Sequence, residues 1–255
     1  MAASRLTLAA AVFLPVWSER QPAPRSAFWY AVAAGMVLAL HFAAWITSLS
    51  YTSIAASTTI VTTNPIWITL LSWWIWGERP QRWTVIGMTI ALISGGLIGL
   101  SDSNQMGINP LLGNSLALIG AWAVSGYFLL GREAQKQGLS TRHYAGLAYG
   151  VAAITLLPLP FLLKTSYSGY PPLTYVYIGL MALLPQLIGH TSLNWAVRWV
   201  SPTLVTLTIL FEPVIASLFG YWLFAEIPGT SVLLGAIGLL TGVAIAATAS
   251  RSTPS

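Results

Sequence analysis

Cysteine is absent from the 255 residues, which excludes disulfides and thiolate metal sites and leaves the redox compartment open. Charge is nearly as scarce: 7% of residues are charged, against roughly 25% in a soluble domain, and 56% are hydrophobic. Six acidic residues are too few for a carboxylate-rich metal centre, and no His-Glu-x-x-His pattern occurs. A Gly-x4-Gly-Lys-Ser/Thr phosphate loop is missing too, so coupling to ATP within this chain is not expected. His41 or His190 beside a serine could form a hydrolytic pair, but there is no Gly-x-Ser-Gly nucleophile motif, so an intramembrane enzyme is the weaker reading. Neither a cofactor nor a metal is expected.

Long apolar runs take the place of these features. Eight segments reach or approach the ~20 apolar residues that carry a helix across a bilayer: 27–50, 53–76, 83–100, 111–131, 143–163, 173–197, 202–224 and 230–249. Helix is required because backbone amides in lipid must be paired within the segment. A ninth stretch, 6–17, is short, and extending it to Met1 gives 17 residues, so the chain reads as starting inside a helix. Arg5 ahead of an apolar run also fits a signal peptide, although no small-x-small cleavage site follows.

The eleven Lys and Arg residues outnumber the six acids. Their placement points to topology rather than to nucleic acid. Alternate loops and the C-terminus hold Arg20, Arg25, Arg79, Arg82, Arg132, Lys136, Arg142, Arg198 and Arg251, whereas the opposite side holds Arg5 and Lys164. Nine against two sets the first group, and the C-terminus with it, on the cytoplasmic side.

Sliding the chain against itself shows a match at a constant offset of 148. Ser53 meets Ser201, Thr58 meets Thr206, Pro65 meets Pro213, Leu70 meets Leu218, Trp74 meets Trp222, Glu78 meets Glu226, Pro80 meets Pro228 and Gly87 meets Gly235. Corresponding helices lie five apart in the chain, and an odd number reverses direction through the membrane, so the repeat is inverted. The same offset places the partner of 111–131 before residue 1. The expected fold is therefore an all-α membrane protein, a bundle of about nine transmembrane helices in two inverted-topology repeats: four helices in 1–100 and five in 111–249, of a five-plus-five plan. Inverted repeats favour transport because two similar packings give outward and inward states of comparable energy.

Residues 51–100, with Asn64-Pro65-Ile66 inside a helix and Trp76-Gly77-Glu78-Arg79 at its end, resemble the EamA-like family of the drug/metabolite transporter superfamily. Gly189-His190-Thr191, Asn194-Trp195, Phe211-Glu212-Pro213, Ala225-Glu226 and Gly235 are similar to that family's second repeat, and Ala121-Trp122 to its opening helix. The resemblance implies a ten-helix bundle with cytoplasmic termini, a central cavity, and export or exchange of small metabolites or toxic compounds. Two departures stand out: the first helix is lacking, and Ala225 replaces the usual glycine.

Candidate site residues are the polar and aromatic groups at mid-bilayer depth. Glu212 sits near the middle of 202–224, where an unpaired charge is costly, so the carboxyl is expected to face a cavity or a partner. Proton coupling or a substrate-cation site is one reading, and a protonated carboxyl locking neighbouring helices is the other. Asn64 is its repeat counterpart. Both precede a proline, which would free the carbonyls of Val61 and Ile209 for substrate or simply kink the helix. Gln186, His190 and Asn194 follow at four-residue steps and form a polar stripe, and His41 with Trp45 forms a shorter one. The two histidines fall about 10 Å apart along the membrane normal, too far to share a metal. For each, substrate contact or proton relay competes with a packing role. Trp67, Trp122 and Trp195 lie at depths where they could stack on planar or cationic substrates, or could simply pack. Trp73, Trp74, Trp76 and Trp83 suit an interfacial belt.

Glu78 and Glu226 read as structural caps. Gly95 with Gly99, and Gly238 with Gly242, have the spacing of closely approaching helices, with a homodimer interface as the second reading. The function expected is a secondary active transporter in the cell membrane, exporting or exchanging small amino-acid-like or amphiphilic molecules by alternating access through a central cavity. A channel or non-transporting scaffold is the further alternative. The expected partners are the lipid bilayer and a small-molecule substrate.

Overall fold

A computed structural model describes residues 1–17, 19, 21–101, 108–162, 166–224 and 229–251. Every regular element among them is helical: α1 (Ala2–Val12), α2 (Leu14–Trp17), α3 (Arg25–Ser48), α4 (Ile54–Val61), α5 (Asn64–Trp76), α6 (Arg82–Ser101), α7 (Pro110–Lys136), α8 (Thr141–Leu156), α9 (Leu159–Leu162), α10 (Pro172–Met181), α11 (Thr191–Ala196), α12 (Pro202–Leu207), α13 (Glu212–Phe224) and α14 (Thr230–Arg251). A π-helical stretch, Ala182–His190, joins α10 to α11, and a 3-10 turn, Thr208–Phe211, joins α12 to α13. Five helices or helix runs are long and apolar enough to cross a membrane: Arg25–Ser48, Pro110–Lys136, Thr141–Leu162, Pro172–Ala196 and Thr230–Ala249. Ile54, Trp74, Ile93, Phe161 and Leu162 are exposed, as suits helices solvated by hydrocarbon.

The 148-residue offset reappears in the element boundaries. Helices α4, α5 and α6 begin at residues 54, 64 and 82, and α12, α13 and α14 begin at 202, 212 and 230. The cause is local chemistry. Ser53 and Ser201 each turn a side-chain oxygen onto the backbone N–H three residues on, at 3.1 Å from Ala56 N and 3.3 Å from Leu204 N, satisfying a donor that the helix start leaves orphaned.

Segments 53–76 and 202–224 are each expected to be one span, and each is broken. In the first, the Thr62 hydroxyl bonds back to the carbonyls of Thr58 and Thr59, and that of Thr63 to Ile60, so the helix stops before Asn64. In the second, the chain tightens into the 3-10 turn before Glu212. The Glu212 N–H takes the carbonyl of Ile209, so that carbonyl is not freed by Pro213 as the proline rule suggests. Both breaks lie within one turn ahead of the proline.

The chain divides into two compact units: Met1–Ile46 with Ala123–Val200, and Thr47–Trp122 with Ser201–Ser255. In the first, α3 buries Ala27, Ala31, Ala34, Leu38 and Phe42 along one face. Its Gly35 leaves no room for a Cβ, which would stand 2.7 Å from the Ala148 carbonyl oxygen of α8. In the second unit, α6 and α14 cross antiparallel, Gly87 meeting Gly242 while Ser94 meets Gly238. Met88, Ala91, Leu207, Leu210, Leu239 and Val243 form the core around that crossing. Opposed directions for the last helix of each repeat are what an inverted repeat requires. Gly238 and Gly242 thus pack within the chain. Gly95 makes only ordinary contacts, with Leu210 and Leu239, and the packing of Gly99 lies outside the described residues.

Candidate functional site

The first unit gathers a buried polar cluster around the helix that carries Gln186, His190 and Asn194. Pro185 sits inside the π-helical stretch; without an N–H it cannot continue the α ladder, and the chain widens there. Gln186 and Asn194 are 0% and 1% exposed. The Gln186 backbone carbonyl accepts from the hydroxyl of Tyr149 at 3.4 Å and that of Thr191 at 3.5 Å. The Asn194 Nδ2 donates to the hydroxyl oxygens of Tyr127, at 2.6 Å, and Tyr149, at 3.3 Å. His190 lies among rings, at 5.6 Å from Phe42, 6.1 Å from Tyr127 and 6.4 Å from Phe128, stacked parallel on the last.

Arg5 completes the cluster. Counting loop charges puts this residue at a membrane face. Instead it is 3% exposed within α1, because the helix begins at Ala2 and not at the first uninterrupted apolar residue. Its Nε and Nη2 donate to Gln186 Oε1 at 3.0 and 2.8 Å, and its guanidinium lies 4.2 Å from the centre of the Phe42 ring. No carboxylate pairs with Arg5 among the described residues. Each residue of the stripe also carries one buried side-chain atom with no hydrogen-bond partner among the described residues: Gln186 Nε2, His190 Nδ1 and Asn194 Oδ1. Buried polar groups are ordinarily paired, and leaving one unpaired costs about 1–3 kcal/mol. A donor, an imidazole nitrogen and an acceptor at successive helical steps, next to an unneutralised cation, make an arrangement suited to a polar ligand.

The remaining expected site residues fall in two groups. His41 is buried in the first unit and stacks on Trp45, with ring centres 5.6 Å apart. Trp195 belongs to that unit too and is 58% exposed, beside Trp199. The second unit holds Asn64, Trp67, Trp122 and Glu212. Asn64 is buried at the start of α5. Trp67 donates its indole N–H to the Thr63 hydroxyl at 3.1 Å and meets Trp122 edge-to-face at 5.4 Å. Glu212 is exposed at the head of α13, and no hydrogen bond from the described residues reaches its carboxyl. Trp73, Trp74, Trp76 and Trp83 are all exposed. Gly77, in the left-handed region at φ 69°, ends α5 with its N–H on the Trp73 carbonyl. Glu226 and Ala225 lie outside the described residues, as does Lys164.

Sequence reasoning missed Arg5, Tyr127 and Tyr149. A charged residue inside an apolar helix is itself a signal, and Arg5 carried it. The tyrosines carried none, because a hydroxyl at the end of a ring is indistinguishable from core until the fold shows what it touches.

Helices that repeat with inverted direction, exposed apolar faces and a polar cluster buried in apolar helices together define a multi-pass membrane protein of the transporter class. The chain belongs to the EamA-like transporter family, whose model matches residues 1–100 and 111–248. It is 28% identical over 246 residues to the uncharacterized transporter YwfM of Bacillus subtilis, covering 94% of this chain and 81% of that protein. An uncharacterized transporter of Archaeoglobus fulgidus is 24% identical over 208 residues, 81% of this chain and 72% of the relative. A solved crystal structure shares the fold with a TM-score of 0.77 at 18% identity, over 98% of this chain and 88% of that one. Family and relatives point to transport rather than catalysis.

Proposed function

We propose that this protein is a secondary active transporter that exports or exchanges small amino-acid-like or amphiphilic molecules by alternating access. The observation that supports this reading best is the stripe of Gln186, His190 and Asn194, whose unpaired polar atoms are held inside the helical bundle. A purely structural network would be expected to satisfy its own donors and acceptors. Matching helix starts in α4–α6 and α12–α14 favour two packings of similar energy, which alternating access needs. Substrate contact is assigned to His41, Trp45, Asn64, Trp67, Trp122, Gln186, His190, Asn194, Trp195 and Glu212, with Glu212 also coupling protons. The membrane is taken to be the cell membrane, and the excess of Lys and Arg in alternate loops supports a cytoplasmic C-terminus.

Reconstitution in liposomes tests this. Vesicles loaded with unlabelled tryptophan are offered labelled tryptophan, benzoate and benzylammonium in turn, and at least one of the three should enter in a saturable manner and faster than into unloaded vesicles. Ohmic conductance without counterflow would mark a channel instead.

A further inference from the structure

Arg5 is a cation that the protein buries and does not neutralise. Its two bonded nitrogens share one neutral oxygen, Gln186 Oε1, and its flat face rests on Phe42. A buried guanidinium ordinarily holds a carboxylate, because leaving the charge unpaired in a low-dielectric interior costs several kcal/mol. Here the amide occupies the place a carboxylate would take, and it differs from glutamate only by an NH2 in place of O⁻. That NH2, Gln186 Nε2, is buried and donates to nothing among the described residues.

We infer that Arg5 and Gln186 form the anion anchor of the transport site, and that the cargo carries a carboxylate. A monoanion is the charge that leaves the cluster neutral. One carboxylate oxygen would take the guanidinium and the other Gln186 Nε2, while the organic group meets the rings of Phe42 and His190. Gln186 then acts as a specificity residue. It holds the guanidinium edge in place by a carbonyl without cancelling its charge, so anions are favoured and organic cations are repelled. Only the anion's being cargo rests on the carrier reading; its binding does not.

The full-length wild-type protein in chloride-free detergent solution is titrated with benzoate, benzyl alcohol, benzylammonium and phenylphosphonate, following thermal stability and tryptophan fluorescence. Benzoate should bind at least tenfold more tightly than the neutral or cationic probe. Gln186→Glu is the decisive variant, since it changes no shape and supplies an internal counter-ion within about 3 Å of the guanidinium. It should raise the melting temperature of the ligand-free protein and weaken benzoate at least tenfold. Equal benzoate affinity in wild type and Gln186→Glu overturns the inference, as does preference for benzyl alcohol or benzylammonium. Tighter binding of phenylphosphonate than benzoate overturns the carboxylate assignment in favour of a phosphate-like cargo. Counterflow of benzylammonium but not benzoate leaves the carrier reading standing and removes the anion anchor. Benzoate binding lost in Gln186→Glu, with no counterflow of any probe, keeps the anchor and removes the carrier.

Discussion

Gly87 and Gly242 bring α6 and α14 so close that a Cβ on either would strike the backbone of the other helix, at 2.6 Å from Ala246 N and Ala91 N respectively. Backbone atoms cannot step aside as a side-chain end can. Gly87→Ala and Gly242→Ala should each destabilise the protein by about 1–3 kcal/mol. Gly126→Ala provides the contrast, because a Cβ added there in α7 would meet nothing within 4 Å among the described residues outside its own helix turn. That change should be neutral or gain up to about 1 kcal/mol from helix propensity. Thermal unfolding in detergent separates the two classes.

The caps Ser53 and Ser201 perform the same task 148 residues apart. Alanine at either should cost about 0.5–2 kcal/mol, and the double variant should cost close to the sum, since each caps a different helix. Asp at the same positions should restore most of the loss. A double variant no less stable than the singles would mean that the two helix starts are not independent.

Tyr127→Phe should affect binding more than its single oxygen suggests. The hydroxyl takes the 2.6 Å bond from Asn194, and removing it leaves a buried donor beside an already unpaired Oδ1. A stability loss of about 1–3 kcal/mol is expected, together with at least a severalfold rise in the substrate concentration for half-maximal counterflow. Asn194→Leu measures how far the two effects share a cause: the double variant should be less harmful than the sum.

Glu212→Gln keeps the size of the side chain and removes its ability to carry a proton. Counterflow under an imposed pH gradient should lose its gradient dependence. Flux that still follows the gradient as in wild type would assign coupling to another group.

How much of this was legible beforehand depended on whether the signal was local. Membrane character, helicity and the repeat could be read because apolar runs, cap serines and the Asn64-Pro65 and Glu212-Pro213 pairs act on their own segment of chain. The stripe of Gln186, His190 and Asn194 could be read for the same reason, as a helical spacing. Which helices break was less legible: a proline announces a kink, but the break falls at the preceding Thr62 and Thr63, where hydroxyls compete for the helix's own carbonyls.

The sequence by itself determined the solvent, the repeat and the family, since each is carried by residue types and spacing along the chain. Tertiary structure alone decided that Arg5 meets Gln186 across 181 residues and that Tyr127 and Tyr149 join Asn194. The physical reason is that a buried charge is judged by its partners, and partners distant in sequence are chosen by how helices pack. An arginine counted as a loop charge became, once packed, a buried cation whose hydrogen bonds go to a neutral amide oxygen.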